Sequence, residues 1–209
     1  MRLPRLLFFA RNDTSIAFCN SRYLMDFLTS ALIFFIFFFT IGIFLIFLIY
    51  ILPIFLGAPF VSTSKERVEK MLELANPRAN ELLYDLGSGD GRIVIEAVKK
   101  YGVRAIGIEL NPILVFLSRR RIKKLGLESQ AEIYWGNFFG EKFSGADTII
   151  MYLFQLTNNR LEKKFLQELK PGTKIVSQSF TFKKIPFLKS HPKEKSIRLY
   201  QIPDSSYLS

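Results

Sequence analysis

Two carboxylates and three glycines lie within seven consecutive residues of this chain. The segment Asp85-Leu86-Gly87-Ser88-Gly89-Asp90-Gly91 follows a strand-like run, Glu81–Tyr84, and precedes an amphipathic segment that starts at Arg92. Glycines allow a tight turn and a close approach of the main chain to a ligand, and the start of a helix offers unpaired N–H groups. The segment therefore predicts a cradle for a nucleotide cofactor.

The glycine spacing and the charge of this loop indicate which cofactor it holds. A dinucleotide fingerprint needs Gly-x-Gly-x-x-Gly, but the glycines lie at positions 87, 89 and 91, and Arg92 takes the place of the third. Asp85 and Asp90 would repel a pyrophosphate at close range, whereas they suit a cation. S-adenosylmethionine carries a sulfonium and an ammonium group, so the loop favours that cofactor over NAD.

Two later strand-like runs end in residues that could contact the rest of such a cofactor. Arg104–Glu109 ends in a carboxylate, which can accept hydrogen bonds from two ribose hydroxyls. The string Trp135-Gly136-Asn137-Phe138 ends a third run, and places a polar side chain beside an aromatic ring that could read and stack on an adenine. We expect these groups to meet at the carboxyl edge of a parallel sheet.

The elements that must position these residues alternate between helix and strand patterns, which predicts a three-layer α/β domain with a mostly parallel sheet. After the fifth strand only enough chain remains for a terminal antiparallel hairpin. The predicted helices span 65–74, 91–101, 112–125 and 158–169, and the predicted strands span 82–86, 104–109, 131–135, 148–153, 174–180 and 196–202.

The first 60 residues have a different composition, since they hold 13 of the 22 phenylalanines. No charge occurs from Ala31 to Tyr50, and the apolar run continues to Phe60 with interruptions at Pro53 and Gly57. Twenty residues at about 1.5 Å each match a hydrocarbon core of about 30 Å. The sequence predicts a juxtamembrane segment at 1–30, one transmembrane helix at 31–56 and a soluble domain at 57–209; a signal peptide would be shorter and nearer Met1.

Orientation and location follow from the charges that flank this span. Basic residues close to its C-terminal end outnumber those close to its N-terminal end, which favours a cytoplasmic C-terminal domain, or a matrix-facing one in an organelle. Residues 61–209 hold 25 basic and 16 acidic side chains, a net charge of +9. The cluster Arg119-Arg120-Arg121 with Lys123-Lys124 is either a solvated helix face or a contact for anionic lipid, and nucleic acid is the weakest candidate partner.

Metal chemistry is not expected. Cys19 and His191 are the single cysteine and the single histidine of the chain, so no cysteine cluster is possible. His191 stands beside Pro192 and several lysines, which is typical of a loop residue.

Several strings in this chain resemble the class I S-adenosylmethionine-dependent methyltransferases, and among them the small family of the adenine nucleotide translocase and ATP synthase c-subunit lysine methyltransferases. The resemblance covers about residues 57 to 202. The chain departs from the family pattern at Asn137, where an acidic residue is common, and at Lys184-Ile185-Pro186, where a tryptophan often precedes the proline. The matching strings are residues 58–64 and 68–72, Asp85–Val94, Gly107–Pro112 and Leu169–Ser177.

This resemblance implies a Rossmann-like class I methyltransferase that binds S-adenosylmethionine and methylates a lysine of a membrane-associated protein. Phe60 could belong equally to a cofactor lid or to the membrane interface. The residues implied in cofactor binding are Phe60, Thr63, Asp85, Gly87, Ser88, Gly89, Asp90, Gly91, Glu109, Asn111, Asn137 and Phe138.

The methyl acceptor is expected near Tyr152-Leu153-Phe154-Gln155, the end of the fourth predicted strand. Tyr152, Phe154 and Gln155 are the candidates for the wall of its pocket. The segment lacks the Asn/Asp-Pro-Pro-Tyr signature of many amide and base methyltransferases, which argues against nucleobase and glutamine substrates. No catalytic side chain is predicted, because positioning alone can carry much of the rate of methyl transfer.

Two alternatives remain open at this point. The chain could methylate a lipid or a small molecule at the membrane. It could also be a membrane-tethered protein that binds the cofactor without catalysing a reaction.

Overall fold

The computed structural model describes residues 13–48 and 63–204, with side chains from residue 23 onwards. The chain divides into two compact units, residues 1–47 and 48–209. Residues 49–62 lie outside the described part, so the predicted boundary at residue 57 stays a prediction, as does the placement of Phe60.

The N-terminal unit contains one long helix, α1 (Asp13–Ile46). Its stretch Tyr23–Ile46 has 24 residues and is long and apolar enough to cross a membrane. The helix begins well before the predicted start of the span at Ala31, because no glycine or proline interrupts the chain between Asp13 and Ala31. The threonines 29 and 40 donate their hydroxyl groups to backbone carbonyls one turn earlier.

The second unit is a three-layer α/β domain, as the sequence predicted. One seven-stranded sheet has the strand order β3-β2-β1-β4-β5-β7-β6. Its first five strands are parallel, and β7 pairs antiparallel with both β5 and β6. The helices are α2 (Lys65–Ala75), α3 (Arg92–Tyr101), α4 (Pro112–Lys124) and α5 (Gln155–Glu168), and the strands are β1 (Leu82–Leu86), β2 (Arg104–Glu109), β3 (Ala131–Trp135), β4 (Thr148–Met151), β5 (Lys174–Gln178), β6 (Phe187–His191) and β7 (Glu194–Gln201).

Two apolar cores fill the spaces between the layers. One packs α2, α3 and α4 against one face of the sheet, through residues such as Met71, Val94 and Ile133. The other packs α5 against the opposite face, through residues such as Leu161 and Phe165. Side chains of a strand point alternately to opposite faces, and all four residues of the central strand β4 are buried, so this strand is covered on both sides.

Local signals set the helix ends that border the site. Ser64 accepts a hydrogen bond from the Arg67 amide and caps α2, and Asn111 does the same for Ile113 at the start of α4. Pro112 follows as the first helical residue, where its missing N–H costs nothing.

Several details differ from the sequence-based expectations. The fourth strand ends at Met151, two residues early, and α5 begins at Gln155 because Phe154 takes an extended backbone conformation at its N-cap. The fifth strand ends at Gln178, since Ser179 has a φ of +68°. His191 is not a loop residue: it ends β6, is buried, and its Nε2 lies 3.5 Å from a carboxylate oxygen of Glu73.

Candidate cofactor site

The loop between β1 and α3 closes tightly over the end of β2. The amides of Gly87 and Ser88 both donate hydrogen bonds to the carbonyl of Ile108, at 2.9 and 3.1 Å. The Gly91 amide donates to the Ser88 carbonyl, which completes the turn into α3. Gly91 has a φ of +74°, a conformation that favours glycine. Main-chain hydrogen bonds thus fix the path of the loop from β1 into α3.

Gly107 explains how closely β2 approaches this loop. A Cβ at this position would lie 2.6 Å from both the Ser88 hydroxyl oxygen and the Ile133 side chain. Such a contact is far below van der Waals distance, so only glycine fits without displacing Ser88. The Ser88 hydroxyl itself is buried and has no hydrogen-bond partner among the described residues.

Asp85 is the most unusual group of the site. The side chain is 2% exposed, and its Oδ2 atom lacks a hydrogen-bond partner in the described part of the chain. Burial, together with the nearby carboxylates of Glu109 and Asp90, raises the pKa of Asp85 to about 8. A cation beside Asp85 would satisfy the open oxygen and lower this pKa, because an opposite charge favours the ionised form.

Glu109 joins the ends of β1 and β2. Its Oε2 accepts a hydrogen bond from the Gly89 amide and its Oε1 accepts one from the Asn111 amide, both at 2.8 Å. Each carboxylate oxygen can accept a second bond. Glu109 therefore orders the glycine loop and still has acceptor capacity for two neighbouring hydroxyl groups.

Asp90 does not present a free carboxylate. Arg92 donates to both of its oxygens at 2.8 Å, and an Arg121 nitrogen lies 3.5 Å away. Burial opposes ionisation of Asp90, but the hydrogen bond from Arg92 and the charges of both arginines together lower its pKa. Arg92 also donates to the main-chain carbonyl of the buried Thr63. The carboxylate of Asp90 is thus paired with two arginines. Its contact with the cofactor stays a prediction.

The remaining residues implied in cofactor binding lie after the ends of β2 and β3, and among them Asn137 and Phe138 are the ones predicted to contact the adenine. Asn111 is buried and uses its Oδ1 to cap α4. Asn137 is exposed, and its Oδ1 accepts a bond from the Phe139 amide. Phe138 is 9% exposed and packs against Phe139 with ring centroids 4.9 Å apart. Trp135 pairs with Glu109 in the sheet register and is 65% exposed. Its indole N–H donates a hydrogen bond to the Leu110 carbonyl. Trp135 therefore offers an open aromatic face.

The predicted wall of the acceptor pocket is only partly available. Gln155 accepts a bond from the Thr181 amide and donates to the Thr181 carbonyl, so its amide ties α5 to the segment after β5. Tyr152 is half-buried and Phe154 is 42% exposed, with its ring 6.1 Å from the ring of Phe180. Phe154 and Tyr152 thus remain the candidates that face open space.

The sequence did not single out a buried polar group at the ends of β4 and β5. Asn158 is fully buried and donates to the Ser177 hydroxyl, while its own carbonyl oxygen has no partner among the described residues. The Gln178 carbonyl oxygen is buried without a partner as well. An asparagine early in a helix is typical of an ordinary surface residue, so no pattern pointed to Asn158.

The described residues include no group of three or more His, Cys, Asp or Glu side chains that could hold a metal ion.

Comparison with known families decides what this arrangement belongs to. Residues 85–189, half of the chain, match the model of the ANTKMT methyltransferase domain. The chain belongs to this methyltransferase family. The match begins at Asp85 and includes the glycine loop and Glu109, so the resemblance carried by those strings is confirmed.

The curated relatives in this family act on lysine by name. A protein-lysine N-methyltransferase of the archaeon Saccharolobus islandicus is 41% identical over 123 residues, which cover 58% of this chain and 76% of that protein. The human lysine N-methyltransferase of the ATP synthase c-subunit is 36% identical over 124 residues, and the mouse adenine nucleotide translocase lysine N-methyltransferase is 34% identical over 129 residues. The matches cover 59% and 61% of this chain but only 52% and 56% of those two proteins.

A solved structure of an RNA methyltransferase from Salinibacter ruber, in complex with S-adenosyl-L-homocysteine, is 35% identical. It superposes with a TM-score of 0.61 over 69% of this chain and 95% of that chain. The class I methyltransferase fold and S-adenosylmethionine as the cofactor are thereby confirmed. The residues present fit this cofactor, since Asp85 offers a buried open acceptor to a cation and Gly107 leaves room for the loop.

Proposed function

We propose that this chain is a membrane-anchored protein-lysine N-methyltransferase that acts on a protein in the membrane or beside it. The observation that carries the proposal is the similarity to the archaeal protein-lysine N-methyltransferase, at 41% identity over 76% of that protein. The named substrates of the mammalian relatives are the c-subunit of ATP synthase and the adenine nucleotide translocase, which supports a membrane-protein acceptor.

Two features of this chain support the membrane part of the proposal. The stretch Tyr23–Ile46 of α1 spans about 36 Å at 1.5 Å per residue, which exceeds a hydrocarbon core of about 30 Å. Beside the carboxyl end of β4, Phe154 is 42% exposed and Leu156 is 73% exposed. Apolar side chains next to the candidate acceptor site suit a substrate that is itself apolar.

Different residues of the candidate site would have different roles in methyl transfer. Asp85 would pair with the ammonium group of the cofactor, and Glu109 with its ribose hydroxyls. When bound, S-adenosylmethionine supplies a methyl group on a positively charged sulfur. The acceptor lysine must arrive as a neutral amine in line with that methyl group, and an apolar wall of Tyr152 and Phe154 would favour the neutral form.

The charge distribution also supports an orientation. We infer that the methyltransferase domain lies in the cytoplasm, or in the matrix of an organelle, because basic residues near the C-terminal end of the span outnumber those near its N-terminal end. S-adenosylmethionine is made inside cells, so this orientation also places the domain on the side of the membrane where its cofactor is found.

Labelling of membranes tests the acceptor class. The full chain is incubated with membranes and S-adenosylmethionine that carries a tritiated methyl group, and the products are separated into protein, RNA and lipid. We expect protease-sensitive label in the protein fraction. Label confined to lipid or small molecules would contradict the lysine proposal and favour the lipid alternative.

RNA is a second candidate acceptor, and one observation favours it. The solved structure at 35% identity is described as an RNA methyltransferase. Against RNA stands the missing Asn/Asp-Pro-Pro-Tyr signature after β4, where this chain has Tyr152-Leu153-Phe154-Gln155. The same fractionation separates the two acceptors, because ribonuclease removes label from RNA and leaves label on protein.

A further inference from the structure

A basic groove lies between α2, α3 and α4, on the face of the sheet opposite α5. Its volume is about 610 Å³, within the range of sites that hold small ligands. The charged side chains that line it are Lys65 from α2, Arg92, Glu96 and Lys99 from α3, and Arg121 and Lys124 from α4. Five cations thus face one carboxylate.

Only part of this positive charge is compensated within the domain. Arg92 and Arg121 share the carboxylate of Asp90. Lys65, Lys99 and Lys124 are exposed, and none of them has a carboxylate within 4 Å in the described part of the chain. A groove with three unpaired ammonium groups attracts an anion, and Glu96 is the one carboxylate among the described residues that line it.

The shape of the groove and its place in the chain indicate which anion it suits. No aromatic side chain among the described residues lines it, whereas sites for single-stranded nucleic acid combine positive charge with aromatic stacking. The groove begins at Lys65, the first residue of the first helix that the structure describes after α1. Arg92 donates a hydrogen bond to the carbonyl of Thr63, the first residue that the structure describes after residue 48, so the groove lies close in sequence to the segment that follows α1.

We propose that this groove binds the phosphate of an anionic phospholipid headgroup in the membrane that holds α1. The proposal rests on the membrane anchor of the proposed function. Each basic residue near an anionic surface contributes to such attraction, and the contribution falls off within a Debye length. The contact would hold α2, α3 and α4 near the headgroups. The cluster predicted at 119–124 is divided in the structure, because Arg119 instead donates to the Ile133 carbonyl.

Chemical labelling of lysines tests this proposal in the full chain. The protein is reconstituted into nanodiscs of phosphatidylcholine alone and of phosphatidylcholine with phosphatidylglycerol, and the rate of acetylation of each lysine is measured by mass spectrometry. We expect slower acetylation of Lys65, Lys99 and Lys124 in the anionic discs. Lys163 and Lys189 are exposed lysines outside the groove and serve as internal controls, so their rates should change little.

Retention of lipid gives a second measurement. Native mass spectrometry of the full chain in detergent counts the phosphatidylglycerol molecules that stay bound. The triple variant Lys65→Gln, Lys99→Gln, Lys124→Gln should lose this retention. The variant Lys163→Gln, Lys189→Gln, Lys195→Gln removes the same charge from other exposed positions and should keep it.

The possible results distinguish a failure of the groove proposal from a failure of the membrane anchor. A chain that enters neither disc contradicts the anchor, and the groove proposal fails with it. A chain that enters both discs with equal rates at the groove lysines contradicts the groove alone. A further arm adds inorganic phosphate or a single-stranded RNA oligonucleotide to phosphatidylcholine discs. If either one slows the acetylation of the groove lysines as strongly as phosphatidylglycerol does, the lipid assignment is overturned.

Discussion

Asp85 is a buried carboxyl group close to two others, and its neutral form is favoured in the cofactor-free protein. Burial, with a smaller effect of Glu109 and Asp90, raises its pKa to about 8. The unfolded chain releases this proton near pH 4. Between these values the folded state binds more protons, so the contribution of Asp85 to stability falls as the pH rises from about 4 to about 8.

The variant Asp85→Asn should therefore gain stability relative to the original protein as the pH rises. We expect the difference in melting temperature, variant minus original, to increase between pH 5 and pH 8 in the cofactor-free chain. Thermal unfolding followed by circular dichroism at the two pH values measures this difference. An unchanged difference would mean that Asp85 does not keep its proton in the folded state.

Asp147→Asn is the matched control for this pH dependence. Burial opposes ionisation of Asp147, but hydrogen bonds from Lys170 and from the Leu82 amide lower its pKa below the usual value. Its contribution is present above the unfolded pKa and is lost only as the pH falls through the folded pKa. The variant should be less stable than the original protein by the same amount at pH 5 and pH 8.

Glu109→Gln should weaken the binding of S-adenosylmethionine. The glutamine keeps the size of the side chain, but it replaces a charged acceptor pair for ribose hydroxyls with a neutral group. Hydrogen bonds to charged groups contribute roughly 1.5–3 kcal/mol each, so we expect at least about a tenfold loss of affinity by isothermal titration calorimetry. Glu128→Gln, at an exposed position in a turn, should bind the cofactor as the original chain does.

Gly107→Ala should disturb the loop by its added Cβ alone. This atom would lie 2.6 Å from Ser88 and Ile133, and overpacking of this kind costs roughly 1–3 kcal/mol. We expect a lower melting temperature together with weaker cofactor binding. Gly145→Ala adds a Cβ that meets Leu82 at 3.6 Å, an ordinary contact, and it should change neither property.

Some features of single site residues could be predicted from the sequence, and others could not. The spacing of the glycines and the position of Glu109 follow from local patterns, and the structure brings Asp85 and Glu109 to adjacent strand ends. The pairing of Asp90 with Arg92 and Arg121 joins α3 and α4, and the bond between Asn158 and Ser177 joins α5 and β5. Contacts of that kind depend on packing between elements, so no local pattern predicts them.

At the scale of elements, α5 holds the segment that leads from β5 to β6. One carboxylate oxygen of Glu162 accepts bonds from the amides of Lys183, Lys184 and Ile185. Gln155 binds the amide and the carbonyl of Thr181. This segment therefore has a fixed conformation although it contains no helix or strand.

Glu162→Gln should destabilise the domain by roughly 1–3 kcal/mol, because three backbone amides lose a charged acceptor. The free energy of unfolding in urea measures the loss. Glu66→Gln removes a carboxylate that is 75% exposed and pairs with Lys70 one turn away, and an ion pair that is open to water in this way contributes little to stability. An equal effect of the two substitutions would contradict the described role of Glu162.

Element boundaries were predictable where hydrophobic periodicity is strong. The first three strands match their predicted bounds, since each is an apolar run between turn signals. The start of α5 was predicted three residues late, because the turn at Phe154 has no Ser, Thr, Asp or Asn to mark the cap. The strand β6 was expected only as part of a terminal hairpin, and its exposed, lysine-containing sequence carries no alternating pattern.

In the molecule as a whole, the apolar stretch Tyr23–Ile46 of α1 is the feature that supports the proposed membrane anchor. All described side chains from Tyr23 to Ile46 are exposed or half-exposed, which is costly in water and favourable in lipid. We expect the full chain to remain in the membrane pellet after extraction with alkaline carbonate. Release into the supernatant would contradict an integral anchor.

The full chain is proposed to methylate a lysine in a membrane-associated protein. Tandem mass spectrometry of membranes incubated with S-adenosylmethionine and the full chain identifies the modified residue directly. We predict an added methyl group on a lysine side chain, and much less of it when Glu109→Gln replaces the original protein at a cofactor concentration below the dissociation constant of that variant. Methylated RNA or lipid without any methylated lysine would contradict the claim.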